Sequence, residues 1–375
     1  MKKIFLLVVM IIFIIVGCKT NYTIENKNGH RIIKNRIENP EIKKINKIKS
    51  YSPDNLYLFY PNFNNDLIVS FYADKKQKRY IGVFDLKLNL KHKMKIIRGK
   101  GPGEILTGAV IDYKDDKIYV ADLRKKTLEV YNKNLDYFDT IKMNNVVSAM
   151  YRNPSEIDIN SQGIYFSPTI PYSLIKIDYD GKLKAKVKSK KNVEDHPHRI
   201  WGWNYCLLDM DNKNIFVTYP SRIKSYKIRK YDSDLNLIWE NRIDDEFEDI
   251  LKKDYIRKAD GTTQPRGAYK ANDIKACNGK IYVLRGVGGD QVWNKNHTDY
   301  KNKKIEKIDY GFIDVFKQKN GKFLYRIETD FLNTKMNYRF DVKGNKFYFY
   351  SNVYYLDEDS IDPESNLLTV AELKT

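Results

Sequence analysis

The sequence predicts an all-β fold, a six-bladed β-propeller built from four-stranded antiparallel blades. A short phrase recurs six times: a tight polar turn, a strand such as Lys117-Ile118-Tyr119-Val120, and then a second strand. Each copy holds one apolar anchor, and the six anchors are Ile68, Ile118, Ile164, Ile215, Ile281 and Phe347. They follow one another at steps of 50, 46, 51, 66 and 66 residues. A repeat of this period in a β-rich chain is typical of blade-based folds.

Each copy contains several strands in which apolar and polar residues alternate. In the second copy, strands are predicted at 109–113, 117–122, 127–131 and 137–143. Turns rich in Asn, Asp, Gly and Lys separate them, as expected for a meander of short strands. Helical spacing of apolar residues is found over 244–258, where the sequence predicts an amphipathic helix.

The last copy needs a strand from elsewhere in the chain. It supplies three strands, at 338–342, 347–351 and 367–373, and then the chain stops. A missing fourth strand leaves a sheet edge with unpaired backbone groups. We therefore expect the N-terminal stretch to complete the last blade, through either 31–37 or 42–48.

The N-terminus has the features of a secretory signal. Two lysines, Lys2 and Lys3, precede thirteen apolar residues at 4–16, and small residues follow. Thirteen residues rise only about 20 Å as a helix, which is too short for a bilayer core of about 30 Å. The sequence therefore predicts an exported protein whose leader is removed.

The end of this leader, Ile15-Val16-Gly17-Cys18, is similar to a bacterial lipobox, in which the cysteine carries lipid. The alternative is an ordinary signal peptide with an incidental cysteine. The predicted organisation is a signal at 1–17, a polar tether at 18–39 and the propeller at 40–375. We expect the mature chain to be held by the Cys18 lipid on the periplasmic side of a bacterial membrane or at the cell surface.

Two further cysteines, Cys206 and Cys277, enter an oxidising compartment on export. In the repeat alignment both lie on first strands of adjacent blades. Cys206 precedes its anchor by nine residues and Cys277 by four. This offset corresponds to about 17 Å along a strand, which is beyond the reach of a disulfide. We expect two small buried residues with free thiols.

The chain is strongly basic, with a formal net charge of +19 and a pI near 9.4. One interpretation is an anionic partner such as lipid headgroups, acidic glycan or nucleic acid. The alternative, which we favour, is that lysine occupies solvent-facing strand positions throughout. The lysines alternate with apolar residues and form no single stripe, and export argues against nucleic acid.

The segment ahead of the second copy, 98–104, reads RGKGPGE. Together with the signal, the lipobox and the six repeats, it resembles bacterial six-bladed β-propeller lipoproteins, which are relatives of the NHL-repeat and TolB-like propellers. The resemblance covers nearly all of the mature chain and implies an exported six-bladed propeller. It implies little about function, because most members of that group have no assigned activity.

The connections between predicted strands sort by length onto the two faces of the disc. Turns from first to second and from third to fourth strands are uniformly short. The long connections all fall on the other face, at 97–108, 189–204, 244–272, 286–307 and 356–366. Long loops on one side of a rigid scaffold are where binding sites usually lie.

The sequence predicts a binding site on this long-loop face. Its candidate residues are Arg98, Glu104, His198, Arg199, Trp201, Trp203, Arg266, Trp293 and His297. Aromatic and arginine side chains at a rim suit stacking on sugars or packing against a protein. Two groups of these residues also have a structural interpretation, and both interpretations stay open. In one, Trp201 and Trp203 only pin a linker to the disc. In the other, the corner that contains Arg98 and Glu104 only joins two blades.

Other motifs give weak signals for chemistry. The stretch 194–198 reads EDHPH and contains natural metal ligands, but no second cluster completes a coordination sphere. The glycine-rich 286–290 matches no nucleotide-binding pattern. No nucleophile elbow or paired carboxylates stand out. We therefore assign no catalytic residue, no metal and no cofactor from the sequence.

The leading hypothesis is a non-enzymatic, lipid-anchored and monomeric propeller that binds a protein or glycan partner through its long-loop face. The alternative is a lactonase-like hydrolase or a lyase with an axial site that uses a divalent cation. A partner-binding face should show an exposed aromatic patch. An enzyme should instead place several carboxylate, imidazole or asparagine side chains from different blades around the axial opening at metal-ligand distances. Three or more such convergent groups favour the enzyme over the binding module.

The lipid anchor gives the first prediction. In a Cys18→Ala variant, the protein should leave the membrane fraction after a salt wash, because the acylated side chain is lost. Fractionation followed by immunoblotting measures this, with Cys277→Ala as the control. A Cys18→Ala protein that stays in the washed membranes contradicts the lipoprotein assignment.

Overall fold

The computed structural model describes most of the chain downstream of the leader. The described residues are 21–27, 29–37, 40–52, 57–64, 66–74, 76, 78–106, 108–122, 124–143, 156–167, 172–188, 206–218, 225–245, 255–257, 263–265, 269–287, 311–329, 331–332, 337–352 and 367–374. Their regular secondary structure is β-strand throughout, as the sequence predicts.

The chain begins with three strands that join sheets formed much later in the sequence. These are β1 (Asn21–Lys27), β2 (His30–Ile37) and β3 (Ile42–Tyr51). We call β1, β2 and β3 together the N-terminal arm.

Three four-stranded antiparallel sheets follow, each with its strands in chain order. The first contains β4 (Tyr57–Asn64), β5 (Leu67–Ala73), β6 (Arg79–Asp85) and β7 (Leu90–Lys95). The second contains β8 (Gly108–Lys114), β9 (Lys117–Asp122), β10 (Thr127–Asn132) and β11 (Tyr137–Lys142). The third contains β12 (Glu156–Asn160), β13 (Gly163–Ser167), β14 (Tyr172–Ile177) and β15 (Leu183–Lys188).

A six-stranded sheet comes next and incorporates part of the arm. Its own strands are β16 (Leu207–Met210), β17 (Asn214–Thr218), β18 (Ser225–Asp232) and β19 (Leu237–Asp245). β2 adds beside β19 and β1 beside β2, so the order is β16-β17-β18-β19-β2-β1. A separate two-stranded pair follows, β20 (Tyr255–Arg257) and β21 (Thr263–Pro265).

The last sheet has eight strands and joins the two final repeats through the arm. Its strands are β22 (Tyr269–Cys277), β23 (Lys280–Val287), β24 (Gly311–Lys317), β25 (Phe323–Glu328), β26 (Asn337–Lys343), β27 (Lys346–Asn352) and β28 (Leu368–Leu373). Their order is β22-β23-β24-β25-β3-β28-β27-β26.

The six anchors of the repeat lie in the core, as their apolar character predicts. Each is at most 2% exposed and lies on the second strand of its repeat. Neighbouring sheets pack face to face. For example, Val110, Ala121 and Leu128 of one sheet share a cluster with Ile164 and Phe166 of the next. The repeat therefore encodes both the strands and the packing between sheets.

The first strands of the six repeats lie side by side in chain order. β4 contacts β8, and contacts continue through β12, β16 and β22 to β26, which contacts β4 again. These strands therefore close into a ring around a central axis, and the fold is propeller-like.

The N-terminal strand pairs with the C-terminal strand, as expected. β3 pairs antiparallel with β28, from Leu368 opposite Tyr51 to Leu373 opposite Ile45. Its first residues also run parallel to β25. Of the two candidate stretches, the closing strand is therefore 42–48 and not 31–37. Ile45 is buried in the core between the last two repeats.

The predicted tether at 18–39 contains structure, which corrects the sequence interpretation at 21–37. β1 and β2 form an antiparallel hairpin, and β2 runs parallel to β19. Ile33 and Ile37 are buried against Trp239 and its neighbours. The polar composition concealed this because only one face of β2 is apolar.

A buried amide network fastens this hairpin to the next sheet. Asn35 Nδ2 donates to Asn241 Oδ1 at 2.6 Å and to the Gly321 carbonyl at 3.0 Å. Asn241 Nδ2 donates to the same carbonyl at 2.8 Å. Gly321 has φ of +65°, and a Cβ there would lie 3.1 Å from Ile33, so glycine is required at this turn.

The amphipathic helix predicted at 244–258 is wrong at both of its described ends. Asp244 and Asp245 belong to β19, where Asp244 pairs with Ser225 on one side and Arg36 on the other. Residues 255–257 form β20. The ladder of the six-stranded sheet overrides the local helical spacing, and 246–254 lie outside the described residues.

Cys206 and Cys277 form no disulfide, as expected, but the expectation that both are buried holds only for Cys206. Cys206 is buried and its Sγ lies 2.9 Å from the Ser173 carbonyl oxygen, whereas Cys277 is partly exposed. Burial raises the pKa of the Cys206 thiol to about 12, so it is unreactive near neutral pH. Within the described residues, no helix is long and apolar enough to cross a bilayer.

Ring closure gives the second prediction. Deleting 31–48 removes β2 and most of β3, and with them the buried Ile33, Ile37 and Ile45. Their packing partners, Trp239 among them, become exposed, and about 1.5–3 kcal/mol of burial is lost for each isoleucine. The melting temperature should fall by about 10 °C or more. The control is a deletion of 21–27 alone, the outer strand of the hairpin, which should lower the melting temperature much less. Equal melting temperatures for the full chain and the 31–48 deletion contradict closure by the arm.

Candidate functional site

A polar side chain from each first strand faces the central axis at the same level. These six residues, which we call the axial ring, are Asn62, Asp112, Asp158, Asp209, Lys275 and Asp341. Each pairs with the residue that follows the anchor of its own repeat; for example, Asp112 lies opposite Tyr119 and Ile118 is the anchor. The repeat therefore brings six equivalent positions together.

Strand geometry explains why these residues face the axis. Successive side chains of a strand point to opposite faces, so alternate residues share a face. Two further rings therefore flank the axial ring. The ring on the side of the short turns includes Asn64, Lys114, Asn160 and Asp211, and the ring on the other side includes Glu156, Asp273 and Arg339.

These residues enclose a cavity of about 180 Å³. Its lining includes Asp112, Asp158, Asp209 and Lys275 of the axial ring and extends to Asn212, in the short turn after β16. A cavity of 150 Å³ is large enough to hold benzene, so this volume admits a small organic molecule or several waters. The cavity lies toward the short turns, on the opposite side from the face that loop length favoured.

Arg339 forms the floor of the cavity. Its Nη1 lies 3.4 Å from Asp273 Oδ1 and also contacts Glu156 Oε1, so one guanidinium joins first strands of three repeats. Asp273 accepts a further hydrogen bond from the Phe340 backbone N–H at 2.9 Å. Burial raises the pKa of Glu156, and the charge of Arg339 opposes that shift. These contacts tie together three first strands on this side of the axial ring.

Lys275 is the cation of the axial ring. Its Nζ lies 3.3 Å from Asp209 Oδ1, and Asp209 Oδ2 accepts from the Ala276 backbone N–H at 2.6 Å. Burial lowers the pKa of Lys275, but the charges of Asp209 and the neighbouring aspartates outweigh burial and raise it above its usual range. Burial raises the pKa of Asp209 to about 7 despite the opposing charge of Lys275.

Asp112 and Asp158 form no ion pair with the cations that the structure describes. One carboxylate oxygen of each accepts from the backbone N–H of the next residue, at 2.8 Å in both cases. Burial raises the pKa of Asp112 to about 6. Burial, followed by the charges of Asp112 and Asp209, raises the pKa of Asp158 well above its usual range.

This arrangement supplies both acidic and basic groups near neutral pH. A carboxyl group whose pKa is close to the working pH can donate a proton or accept one, and a protonated carboxyl also donates hydrogen bonds. The cavity therefore suits hydroxyl and ammonium groups, and its carboxyls are positioned for acid–base chemistry.

The residues that the structure describes include no group of three or more His, Cys, Asp or Glu side chains that could hold a metal ion. In the axial ring, the ammonium group of Lys275 already provides the positive charge that a metal ion would bring to Asp209. A divalent ion here would have to compete with a charge that is covalently attached to the chain.

Two of the sequence-predicted site residues lie in the described corner between the first two sheets. Glu104 Oε2 accepts from the Gly101 backbone N–H at 2.6 Å, and a Cβ at Gly99 would lie only 2.0 Å from that oxygen. Lys125 Nζ donates to the Gly101 and Glu104 carbonyls at 2.8 and 2.7 Å. Glu104 therefore holds its own loop, and Arg98 is exposed. Neither residue lines the cavity, and their place in a binding site on the long-loop face stays a prediction.

The other predicted site residues lie outside the described residues. They are Cys18, His198, Arg199, Trp201, Trp203, Arg266, Trp293 and His297. The long-loop binding face stays a prediction for them. Trp239, the one tryptophan that the long loops do not contain, is fully buried in the core.

Sequence reasoning missed the axial ring, although a signal for it was present. Each ring residue lies six positions before the anchor of its repeat, as Asp158 does before Ile164 and Lys275 before Ile281. A charged residue between apolar neighbours in a predicted innermost strand is unexpected unless it faces an axial opening. The residues six positions before the six anchors are therefore the signal for the axial ring.

Comparisons with known proteins show the fold and nothing more specific. No protein-family model matches the chain, and no curated protein matches it by sequence. A solved structure of a DUF4221 family member from Bacteroides vulgatus is 13% identical, with a TM-score of 0.51, and the match covers 88% of this chain and 97% of that one. That likeness concerns the fold alone.

Two further solved structures are similar at lower scores. A luciferin-regenerating enzyme is 10% identical with a TM-score of 0.49, and the match covers 87% of this chain and 95% of that one. Regucalcin from Agrobacterium tumefaciens, described as a calcium-binding protein, is 9% identical with a TM-score of 0.47, over 88% and 95% of the two chains.

The raised pKa of Asp112 gives the third prediction. Its carboxyl binds a proton more tightly in the folded than in the unfolded state, so it makes unfolding free energy fall as pH rises from about 4 to about 6. An Asp112→Asn variant keeps the size of the side chain and lacks its charge. Its free energy of unfolding should equal that of the parent chain near pH 4 and be higher by about 2–3 kcal/mol at pH 8. Urea unfolding at the two pH values measures this difference.

The control for this comparison is Asp139→Asn, because Asp139 is exposed on β11. It should change the pH dependence little. If Asp112→Asn shows the same pH dependence as the parent chain, the carboxyl of Asp112 is not held in its protonated form by the cavity.

Proposed function

We propose that this chain is an exported, lipid-anchored, six-bladed β-propeller whose axial cavity binds a small ligand that carries ammonium or hydroxyl groups. Six repeats with adjacent first strands, and the contact of β26 with β4, support the blade count. The eight-stranded sheet then comprises two blades that share β3. The leader and its lipobox-like end support export and lipidation at Cys18.

The observation that carries the ligand proposal is the pair of carboxylates on adjacent first strands, Asp112 and Asp158. Both line the cavity, and no described cation forms an ion pair with either. Asp112 is buried and Asp158 is partly buried. Lys275, whose charge acts on both, forms an ion pair with neither, so each carboxylate costs free energy to desolvate. A ligand that donates hydrogen bonds or brings positive charge to this pair recovers part of that cost.

The net charge of the cavity also favours a ligand that carries ammonium or hydroxyl groups. Three cations, Lys114, Lys275 and Arg339, line the cavity together with six carboxyl groups, which are Asp112, Glu156, Asp158, Asp209, Asp211 and Asp273. The excess is acidic as long as fewer than three of these carboxyls are protonated. The volume of about 180 Å³ limits the ligand to a small amine, amino alcohol or single sugar unit.

A second candidate function is acid–base catalysis in the same cavity, as a hydrolase or a lyase. Three carboxyl groups from different repeats, Asp112, Asp158 and Asp209, line the cavity, although the described residues contain no group of three that could hold a metal ion. Asp209, with a pKa of about 7 beside Lys275, is the favoured proton carrier. A divalent cation is not needed for this chemistry.

Binding of a protein or glycan at the long-loop face remains a separate proposal. Its residues, Trp201, Trp203 and Trp293 among them, lie outside the described residues. A sugar in the axial cavity is compatible with a glycan partner, whereas a protein partner requires the long-loop face.

The fourth prediction tests the axial site. The mature chain is screened by thermal shift against ethanolamine, tetramethylammonium, glucosamine, glucose and calcium ion. A probe at 100 times its Kd adds about 2.7 kcal/mol of stability. We expect at least one amine or sugar to raise the melting temperature, and Asp158→Asn to weaken its binding about tenfold or more in calorimetry.

The matched control is again Asp139→Asn, which should bind the probe as the parent chain does. Undiminished binding to Asp158→Asn places the probe elsewhere and contradicts the axial site. Stabilisation by calcium alone, lost in Asp158→Asn, contradicts the ammonium and hydroxyl assignment and favours a metal site.

A further inference from the structure

The N-terminal arm is rich in exposed basic residues. The exposed ones are Lys27, Arg31, Lys34, Arg36, Lys44, Lys47 and Lys49. Two exposed acidic residues, Glu25 and Glu41, accompany them, and Glu25 pairs with Lys34 at 2.6 Å. The described part of the arm is therefore strongly positive even after its ion pairs are counted.

The arm also exposes large apolar side chains. Ile24, Ile42 and Ile48 are 48%, 42% and 49% exposed, and Ile97 is the only other isoleucine exposed to this degree among the described residues. Single exposed apolar side chains are common on protein surfaces, and Leu90, Tyr137, Phe138 and Tyr179 are exposed outside the arm, so the isoleucines are informative only in combination with the basic residues. Basic and apolar side chains together are the composition of surfaces that bind the interface of anionic membranes.

The arm lies at the rim of the disc, far from the axis. The first strands surround the axis, and β1 and β2 add outside β19, the last strand of the fourth repeat. β3 then runs along the outer strands β25 and β28 of the next two repeats. The arm therefore covers the outer edge of three consecutive repeats.

Chain length places this rim close to the lipid. Asn21, the first residue of β1, follows Cys18 by three residues. Three residues span at most about 10 Å. If Cys18 carries lipid, as the proposed function states, the start of β1 lies within about 10 Å of the acylated sulfur.

We propose that the N-terminal arm is a membrane-docking rim, which binds an anionic lipid surface and holds the disc edge-on. The basic side chains bind lipid phosphates and the isoleucines enter the interfacial layer. In this orientation the axis runs parallel to the membrane, so the short-turn mouth of the axial cavity stays open to solvent. The lipid at Cys18 fixes the position, and the arm fixes the orientation.

The test uses the mature chain with Cys18→Ser, so that arm binding is measured without acylation. Co-sedimentation is measured with vesicles of phosphatidylglycerol and phosphatidylcholine, and with vesicles of phosphatidylcholine alone. We expect binding to the anionic vesicles only, and weaker binding at raised salt. Lys27→Glu with Lys47→Glu should reduce that binding about tenfold or more, because each basic residue near the surface contributes to it.

The control reverses the charge of two lysines on sheets without the arm, Lys142→Glu with Lys188→Glu. Both residues are exposed on the outer strands β11 and β15, so net charge changes equally. This variant should bind within about twofold of the parent chain. Ile24→Ser with Ile48→Ser tests the apolar contribution, and we expect it to reduce binding at raised salt most clearly.

Three outcomes overturn the proposal. The first is no binding to anionic vesicles, and the second is an equal loss of vesicle binding in the arm variant and the control variant. The third is the formation of concentration-dependent dimers in place of vesicle binding, which makes the arm an interface between copies. Failure of lipidation is recognised separately. In that case the Cys18→Ala protein fractionates like the parent chain in cells, whatever the vesicle result.

Discussion

The pairing of β3 with β28 is the constraint on which the rest of the structure depends. It joins the N-terminal arm to the last repeat and completes the final sheet. With that sheet complete, β26 lies beside β4 and the first strands form a ring. Only a closed ring brings Asp112 and Asp341, more than 200 positions apart in the chain, to the same axis. β3 therefore organises both the fold and the site.

The axial ring concentrates like charge at a cost in stability. Buried carboxyls near one another raise each other's pKa values, as Asp112 and Asp209 do for Asp158. Lys275 offsets part of that repulsion through its ion pair with Asp209, and Arg339 through its contacts with Glu156 and Asp273. Such an arrangement contributes little to folding, since apolar residues at these positions pack without the desolvation cost. Groups of this kind cluster at functional sites, which is why we place the function on the axis.

Much of the fold was predictable because the repeat is local: Ile118 and Ile164 mark strands whose neighbours alternate as a sheet requires. The hairpin of the arm was not, because Asn35 is explained only by Asn241 and Gly321, which are distant in sequence. Only part of the site could be predicted from the sequence. Position and residue type of Asp158 or Lys275 can be read from the repeat, but convergence, the ion pair with Asp209 and the raised pKa values depend on ring closure. Loop length did not indicate the axial cavity, because it carries no information about the inner strands.

The measurement that tests the central claim most directly is a carbon-13 NMR titration of the aspartate carboxyls. The account predicts a carboxyl resonance that titrates near pH 6 and is lost in Asp112→Asn, and another that titrates near pH 7 and is lost in Asp209→Asn. These values are well above the usual range near 3.9. If every aspartate instead titrates in that usual range, the carboxyls do not converge in a buried cavity, and both the axial ring and the function proposed for it are wrong.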